Sequence, residues 1–447
     1  MNVMEPKQGL TAIQCNGSTE EPLEGNYFVA AYPPFSCWNE ADLRVSQRAL
    51  SRSNDQAPFG LYLHLPFCAK RCPYCYYLSY DDKRDELDDY LHALVKELKM
   101  YAAKPALANR EVGFVYFGGG TPSLLSDTRI HRLLSELQEI FPWTQAQEVT
   151  FECAPQTVTP SKMKALRDAG VTRISLGVQS LNDEVLQKNG RIHLVSDVER
   201  AFPIIRQHGF DVINLDLMVG LVGETDETFF DSLERVIEMS PESVTIYQLE
   251  IPLYTPLYRA LRDGTLSAQP ASWSVKRERL RRAFKRLEEV GYTVRSAYAA
   301  VRDPVQHRFV YQEDQYRGAD LLGIGVASFS YLRGVHQQNL TSLESYLKSL
   351  QADRLPIQRA YALNDAERLV REFVLQLKLG KVEAQHFRRK YDIEITARFA
   401  EPLRRLAKEG WLVYNDDGVT LTRDGLLRAD HLLSAFYLPK HQVERYS

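Results

Sequence analysis

The chain has 447 residues, 44% hydrophobic and 25% charged, with a net charge of −3 from 55 Lys and Arg against 58 Asp and Glu. That is the balance of an ordinary globular protein of two or three domains. It lacks the basic excess that non-specific nucleic-acid binding requires, and no stretch of about 18 apolar residues is present to span a bilayer. The opening MNVMEPKQGL has no basic segment followed by an apolar one, so no secretory signal is read there. A cytoplasmic location is expected, with reduced thiols.

Residues 1–58 carry no sustained periodicity and read as an irregular or shortly helical extension, with one aromatic island at Tyr32-Pro33-Pro34-Phe35-Ser36-Cys37-Trp38. From residue 59 a new rhythm begins. Candidate strands at 60–65, 112–117, 148–153, 173–178, 212–219 and 244–249 are rich in β-branched or aromatic residues, and most end in Gly, Pro or a polar loop. Amphipathic stretches at 83–101, 130–140 and 197–208 lie between them. Such β–α alternation predicts an α/β fold whose parallel sheet has crossover helices and curls into a full or partial barrel. Chemistry is then expected at the C-terminal strand ends. Beyond about residue 265 come a basic helix at 277–290 and a glycine-rich run at 318–325. Residues 365–447 read as a separate module. Helices near 365–377, 383–391 and 395–409 precede a hairpin at 411–422 with Asp416-Asp417-Gly418 as its turn, a winged-helix-like order. The divisions expected are 1–58, an extension covering the site; 59–265, the barrel; 266–364, a second region shaping the substrate side; and 365–447, the helical and hairpin module.

Three of the six cysteines fall within eight residues, as Cys68-x3-Cys72-x2-Cys75 just after the first strand. A disulfide pair is disfavoured by the reducing compartment and the odd number. A structural zinc site wants four ligands, usually paired Cys-x2-Cys units; no second unit exists, and Cys153 sits alone on a later strand. An iron–sulfur cluster held by three thiolates would leave one iron open for another ligand. Gly118-Gly119-Gly120-Thr121-Pro122, directly after the second strand, reads either as a tight turn or as a loop whose backbone N–H groups approach an anion.

Taken in order, Tyr62-Leu-His64-Leu-Pro66-Phe67-Cys68-x3-Cys72-x-Tyr74-Cys75, the GGGTP run, Arg173-Ile-Ser-Leu-Gly177-Val178-Gln179-Ser180 and Asn214-Leu-Asp216-Leu-Met-Val-Gly220 resemble a radical S-adenosylmethionine (SAM) enzyme. The likeness is to the oxygen-independent coproporphyrinogen III oxidase-like branch, over roughly residues 27–435. It implies a partial (β/α)6 radical SAM barrel with an N-terminal extension and a C-terminal helical module. It implies a [4Fe-4S] cluster on Cys68, Cys72 and Cys75, its open iron chelated by SAM. Residues matching the family's SAM contacts are Tyr62, Gly118, Gly119, Gly120, Thr121, Glu152, Gln179, Arg191 and Asp216. Glu152 and Asp216 suit a sulfonium and ribose hydroxyls, and Arg191 suits a carboxylate bidentately. Family chemistry is reductive cleavage of SAM to a 5′-deoxyadenosyl radical, with an external electron donor such as flavodoxin or ferredoxin.

Three kinds of relative are separable by residue. The oxidases carry a further cysteine two positions after the third, where this chain has Tyr77. The haem chaperones carry an H-N-x-x-Y-W motif whose aligned positions here are Tyr311, Gln312, Gln315 and Tyr316, without the His or the Trp. Class C radical SAM methyltransferases hold two SAM molecules and transfer a methyl or methylene group to an sp2 carbon, giving C-methylation or cyclopropanation of aromatic, quinone, polyene or tetrapyrrole substrates. The Tyr32-Pro33-Pro34 island resembles their covering segment, and 318–330 resembles the part shaping their second SAM pocket. The expectation is a methyltransferase of this kind, with Glu250 as proton acceptor, Tyr311 as a second catalytic residue and Gln312 on a cofactor. The alternative is coproporphyrinogen-type oxidative decarboxylation, and haem trafficking is the third reading. An apolar or aromatic small-molecule substrate, no nucleic acid and a monomer complete the expectation. The basic residues of the last module, such as Arg388, Arg389, Lys390, Arg404 and Arg405, are interspersed with acids, which argues against DNA binding.

Overall fold

The computed structural model describes residues 21–25, 27–38, 43–53 and 57–442. Cys15 lies outside them. The six expected strands are present as β1 (Phe59–Leu65), β2 (Val112–Gly119), β3 (Glu148–Cys153), β4 (Arg173–Gln179), β5 (Val212–Val219) and β6 (Ser243–Gln248), each pairing in parallel with the next. The crossover helices include Leu87–Ala102, Asp127–Ile140, Val195–Gln207 and Asp226–Met239. A strand sends successive side chains to opposite faces. One set, including Leu61, Leu63, Val115, Phe117, Phe151, Leu176, Leu215 and Ile246, is buried in the main hydrophobic core with helix residues such as Leu94, Leu98, Leu134 and Val198. The alternate set is polar or aromatic, and that set makes the site.

The sheet continues past this unit. It has 12 strands in the order β12-β11-β10-β9-β1-β2-β3-β4-β5-β6-β8-β7, where β7 is Thr293–Val294, β8 Ala299–Val301, β9 Leu321–Ile324, β10 Phe329–Leu332, β11 Val335–Asn339 and β12 Ile357–Ala362. The run read as glycine-rich thus contains β9, which lies parallel to β1. Gly323 carries no side chain because the Phe329 carbonyl fills that space. Four residues interrupted by glycine give almost no strand signal, so its partner across the sheet, not its own propensity, makes it a strand.

The C-terminal module follows the expected order with two corrections. The third helix is broken into Ile395–Arg398 and Ala400–Lys408, because Phe399 between them turns into the core, its ring 4.3 Å from that of Phe373. In the hairpin β14 (Leu412–Asn415) and β15 (Gly418–Leu421), Gly418 pairs with Asn415, so the turn is Asp416-Asp417 alone. A short β13 (Lys381–Glu383) adds a third strand. Among the described residues no helix is long and apolar enough to cross a membrane.

The N-terminal segment binds both halves of the molecule. Gly25 N–H donates to the Ile251 carbonyl at 3.0 Å, just past β6. Val29 N–H donates to Asp430 Oδ1 at 2.9 Å, and Lys378 Nζ donates to the Val29 carbonyl at 2.7 Å, both in the C-terminal module. In the aromatic island Tyr32, Pro33, Pro34 and Trp38 are buried. Tyr32 is fully buried, and its hydroxyl meets Leu438 N–H at 3.0 Å and His441 Nδ1 at 2.7 Å. Trp38 stacks on His336 with ring centroids 4.5 Å apart.

Candidate active site at the strand ends

The three cysteines lie on the loop after β1. Two backbone bonds close its base: Cys68 N–H to the Tyr80 carbonyl at 2.9 Å and Tyr80 N–H to the Pro66 carbonyl at 2.6 Å. The buried His64 ring braces it from β1, with Nε2 3.0 Å from the Leu78 carbonyl and Nδ1 3.0 Å from the Tyr62 hydroxyl. Neighbouring side chains reach the thiols. Thr121 Oγ1 is 3.6 Å from Cys68 Sγ, and Arg191 Nη1 is 3.3 Å from Cys72 Sγ. Burial pushes the Cys68 thiol up and the Cys75 thiol to about 11. Cys153 is not among them. It follows Glu152 on β3 and so faces the helix side, where burial lifts its thiol to about 12.

In the glycine run, three backbone N–H groups bond within the chain. Gly119 N–H donates to Glu152 Oε2 at 3.2 Å, Gly120 N–H to the Leu65 carbonyl at 2.8 Å and Thr121 N–H to the Phe67 carbonyl at 2.8 Å. These amides are committed within the chain. The glycines are required by close packing: a Cβ on Gly120 would lie 2.7 Å from the Phe67 carbonyl oxygen, and one on Gly119, where φ is +115°, 2.6 Å from the His64 ring.

Glu152, from β3, accepts from the Tyr116 hydroxyl at 2.6 Å, and burial raises its carboxyl to about 7. Asp216, from β5, accepts from Ser175 Oγ at 3.0 Å and Asn214 Nδ2 at 2.8 Å, and burial raises it to about 6. The two carboxyls are close enough for Asp216 to raise Glu152 further. Gln179 ends β4 in the left-handed region at φ +66°, where the β4–β5 register shifts; such strain in a non-glycine residue is held by its surroundings. Its amide and Arg191 both lie over Gly177, whose missing Cβ would sit 3.1 Å from Gln179 Nε2. Arg191 Nη2 donates to the Gly177 carbonyl at 3.0 Å, while its buried Nε has no partner.

Tyrosines wall the opening. Tyr62, Tyr116 and Tyr311 cluster, with Tyr116 and Tyr311 centroids 4.4 Å apart. Tyr76, Tyr77 and Tyr247 are 47%, 49% and 41% exposed, yet surrounding protein and the charges of Glu152, Glu250 or Asp216 raise their hydroxyls, Tyr77 to about 12. Exposed surface inside dense surroundings describes the lining of a concavity. Tyr311 is placed there by a buried pair at the other end of the barrel. Glu148 accepts from Arg173 Nε at 2.8 Å and from Tyr311 N–H at 3.2 Å. Gln312 Nε2 lies 3.5 Å from the Tyr316 hydroxyl. Glu250 Oε2 accepts the Tyr27 N–H at 3.1 Å, so the N-terminal segment holds it, and burial raises it to about 7.

The donor set fits the cofactors implied. Three thiols on one loop suit a four-iron cluster, which takes its thiolates on separate irons. The unpartnered Arg191 Nε and two adjacent buried carboxyls match a ligand with a carboxylate at one end and a cation at its centre.

Sequence reading missed Tyr116, Ser175, Asn214 and Thr245, which orient Glu152 and Asp216; Thr245 Oγ1 donates to Asn214 Oδ1 at 2.9 Å. Their signal was the period of two along each strand, since Tyr116 and Asn214 stand two residues before Gly118 and Asp216. The raised carboxyls carry a pH consequence. The folded chain favours their protonated forms, so their contribution is greatest below the unfolded value near 4.3 and is lost as pH rises towards about 7. Thermal unfolding of SAM-free chain is expected to show stability falling between pH 5 and 7.5. Glu152→Gln should flatten that slope by on the order of 2 kcal/mol, and an unchanged slope would contradict the assignment.

Comparison with known proteins places the chain in a family. A model of the radical SAM superfamily matches residues 62–236. The chain is 34% identical over 280 residues to the haem chaperone HemW of Haemophilus influenzae, covering 62% of this chain and 70% of that protein. It is 28% identical over 414 residues to the oxygen-independent coproporphyrinogen III oxidase of Escherichia coli, covering 88% and 89%. The solved structure of coproporphyrinogen III oxidase (HemN) from Escherichia coli, described as a radical SAM enzyme, superposes with a TM-score of 0.79 at 26% identity, over 92% of this chain and 96% of that one. The chain therefore belongs to the radical SAM superfamily, in the branch that holds the oxygen-independent coproporphyrinogen III oxidases and HemW.

Proposed function

We propose that this enzyme removes hydrogen from a flat, aromatic or tetrapyrrole substrate held in the tyrosine-lined cup, with oxidative decarboxylation of the coproporphyrinogen type as its reaction. The observation that carries the reading is one site in which the three-cysteine loop, Arg191, Gln179 and two buried carboxyls open into a wall of tyrosines. When bound, the cluster and SAM supply a carbon-centred radical that takes hydrogen from a C–H bond. Cys68, Cys72 and Cys75 would hold the cluster, and Arg191 the SAM carboxylate. Glu152, kept in place by Tyr116 and Gly119, and Asp216, kept by Ser175 and Asn214, would meet the sulfonium and the ribose. The tyrosines stack on the substrate and keep water from the reacting carbon. Flavodoxin or ferredoxin would supply the electron for SAM cleavage, and a separate one-electron acceptor would take the electron released as the substrate radical loses carbon dioxide.

Tyr77 favours a second reading. A bulky phenol, 49% exposed in the cup, stands where the oxidases carry a further cysteine. In this reading a second SAM lies near Gln312 and Tyr311, a methyl or methylene group is transferred, and Glu250 receives a proton. Haem trafficking is the least supported, because Tyr311, Gln312, Gln315 and Tyr316 offer no imidazole. Turnover of coproporphyrinogen III with methyl-labelled SAM separates the first two. The proposal predicts carbon dioxide without label in the product; labelled product without carbon dioxide would replace it with methyl transfer.

A further inference from the structure

We propose that Arg191 also sets the reduction potential of the cluster, by donating a charged hydrogen bond to Cys72, one of the three cluster thiolates. The inference rests on the reading that the cysteine loop holds a cluster. It gives Arg191 a task in the SAM-free chain, before any carboxylate reaches it.

The contact is fixed from both sides. Arg191 Nη1 lies 3.3 Å from Cys72 Sγ, within hydrogen-bond reach of sulfur. Nη2 donates to the Gly177 carbonyl at 3.0 Å, which anchors the guanidinium to β4. The Arg191 main chain is held as well, its N–H donating to the Leu186 carbonyl at 3.0 Å. Asn189, 1% exposed, clamps the preceding turn: its side chain accepts from Val222 N–H at 3.0 Å and donates to the Val222 and Val185 carbonyls at 2.9 and 2.8 Å. Gly190 then rests on the cysteine loop, since a Cβ there would lie 2.8 Å from Pro73 Cδ. On the loop side, Cys75 N–H donates to the Cys72 carbonyl at 3.1 Å, and Leu257 N–H to the Pro73 carbonyl at 3.0 Å. Main-chain packing therefore brings this guanidinium to this sulfur.

The other two thiols have different partners. Cys68 Sγ meets the neutral Thr121 hydroxyl at 3.6 Å, and Cys75 Sγ meets the Tyr77 carbonyl at 3.9 Å. Arg71, the other guanidinium at the loop, directs Nη2 to the Cys75 and Tyr77 carbonyls at 3.2 and 3.4 Å and not to a sulfur. A guanidinium carries five N–H donors. One goes to Cys72 and one to Gly177, so the others, the unpartnered Nε among them, remain for a carboxylate. Reduction adds one electron from the external donor, with no bond made or broken. Hydrogen bonds to the sulfurs and nearby charge set the potential of such a cluster. A cationic donor stabilises the added negative charge more than a neutral one does. Arg191 therefore moves the midpoint upward and eases electron entry.

The test is an EPR-monitored redox titration of the anaerobically reconstituted full chain without SAM, as wild type, Arg191→Gln, Arg191→Lys and Arg71→Gln. Arg191→Gln is expected to make reduction about tenfold less favourable, a fall of about 59 mV for one electron. Arg191→Lys keeps the charge without the fork and should fall by less. Arg71→Gln removes an exposed, solvent-screened charge from the same loop and should also fall by less. A wild-type potential in Arg191→Gln, or an equal fall in Arg71→Gln, overturns the proposal. Should Arg191→Gln not assemble a cluster, pulsed EPR of the reduced wild type carrying isotopically labelled arginine decides. A labelled-nitrogen coupling that Arg191→Lys loses supports the proposal; a spectrum without such a coupling overturns it. A wild-type chain that assembles no cluster refutes the reading beneath, whereas a wild-type cluster indifferent to Arg191 refutes this inference alone.

Discussion

Cys72→Ala is expected to fold like the wild type yet to fall from about four irons per reconstituted chain to a small residue, with SAM cleavage reduced at least 1,000-fold. The fold should survive because the Cys72 side chain is only partly buried and takes its hydrogen bond from Arg191 Nη1 at the site itself. The backbone bonds that close the loop involve Cys68, Pro66 and Tyr80 instead. Three thiolates are the minimum the reading allows, so losing one leaves too few ligands for a cluster with a single open iron. Cys153→Ala, on the other face of β3, is expected to keep both iron and activity. Iron and sulfide assays, with chromatographic measurement of 5′-deoxyadenosine, read both variants.

Glu97→Ala is expected to destabilise the chain by about 3–5 kcal/mol, the cost of breaking a buried, fully hydrogen-bonded polar network. Glu97 is fully buried on the helix Leu87–Ala102. Its carboxyl accepts from the Tyr346 hydroxyl at 2.6 Å, Gly325 N–H at 2.8 Å and Asn339 Nδ2 at 2.7 Å. Gly325 follows β9, and the neighbouring Tyr90 hydroxyl donates to the His64 carbonyl at 2.7 Å while accepting from Val326 N–H at 3.1 Å. One carboxyl thus ties β9 and β11 to the helix beside β1, the strand that launches the cysteine loop. Truncation would take the acceptor from the Tyr346 hydroxyl and the Gly325 N–H, while Asn339 Nδ2 would keep the Gly325 carbonyl and the Ser328 hydroxyl. Tyr346→Phe and the double variant, followed by denaturant unfolding, should be non-additive, since the two groups share one bond. Additive losses would show that the network does not act as a unit.

What the sequence made legible follows from which signals are local. The six strands of the barrel unit lie within about two residues of their expected ends, because each is a short run rich in β-branched or aromatic residues, and most are punctuated by glycine, proline or a polar loop. Cys68, Cys72 and Cys75 were legible as a group because they sit on one loop. Glu152, Gln179, Arg191 and Asp216 were not legible from composition or spacing; the family resemblance suggested them, and the parallel register of β3, β4 and β5 is what brings them together. β9 was not legible, since four residues containing Gly323 acquire strand geometry only by pairing with β1. The backbone bonds of Gly119 and Gly120 were not legible either: a sequence shows that an amide can be approached closely, but not that the Glu152 carboxylate and the Leu65 carbonyl accept from these two.

The most direct test is release of 5′-deoxyadenosine by the anaerobically reconstituted wild-type chain given SAM and a strong one-electron reductant. The geometry of the cysteine loop and the Glu152–Asp216–Arg191 group predicts about four irons per chain and 5′-deoxyadenosine formed only when the reductant is present. A folded, reconstituted chain that takes up one zinc in place of iron and returns SAM uncleaved would contradict it.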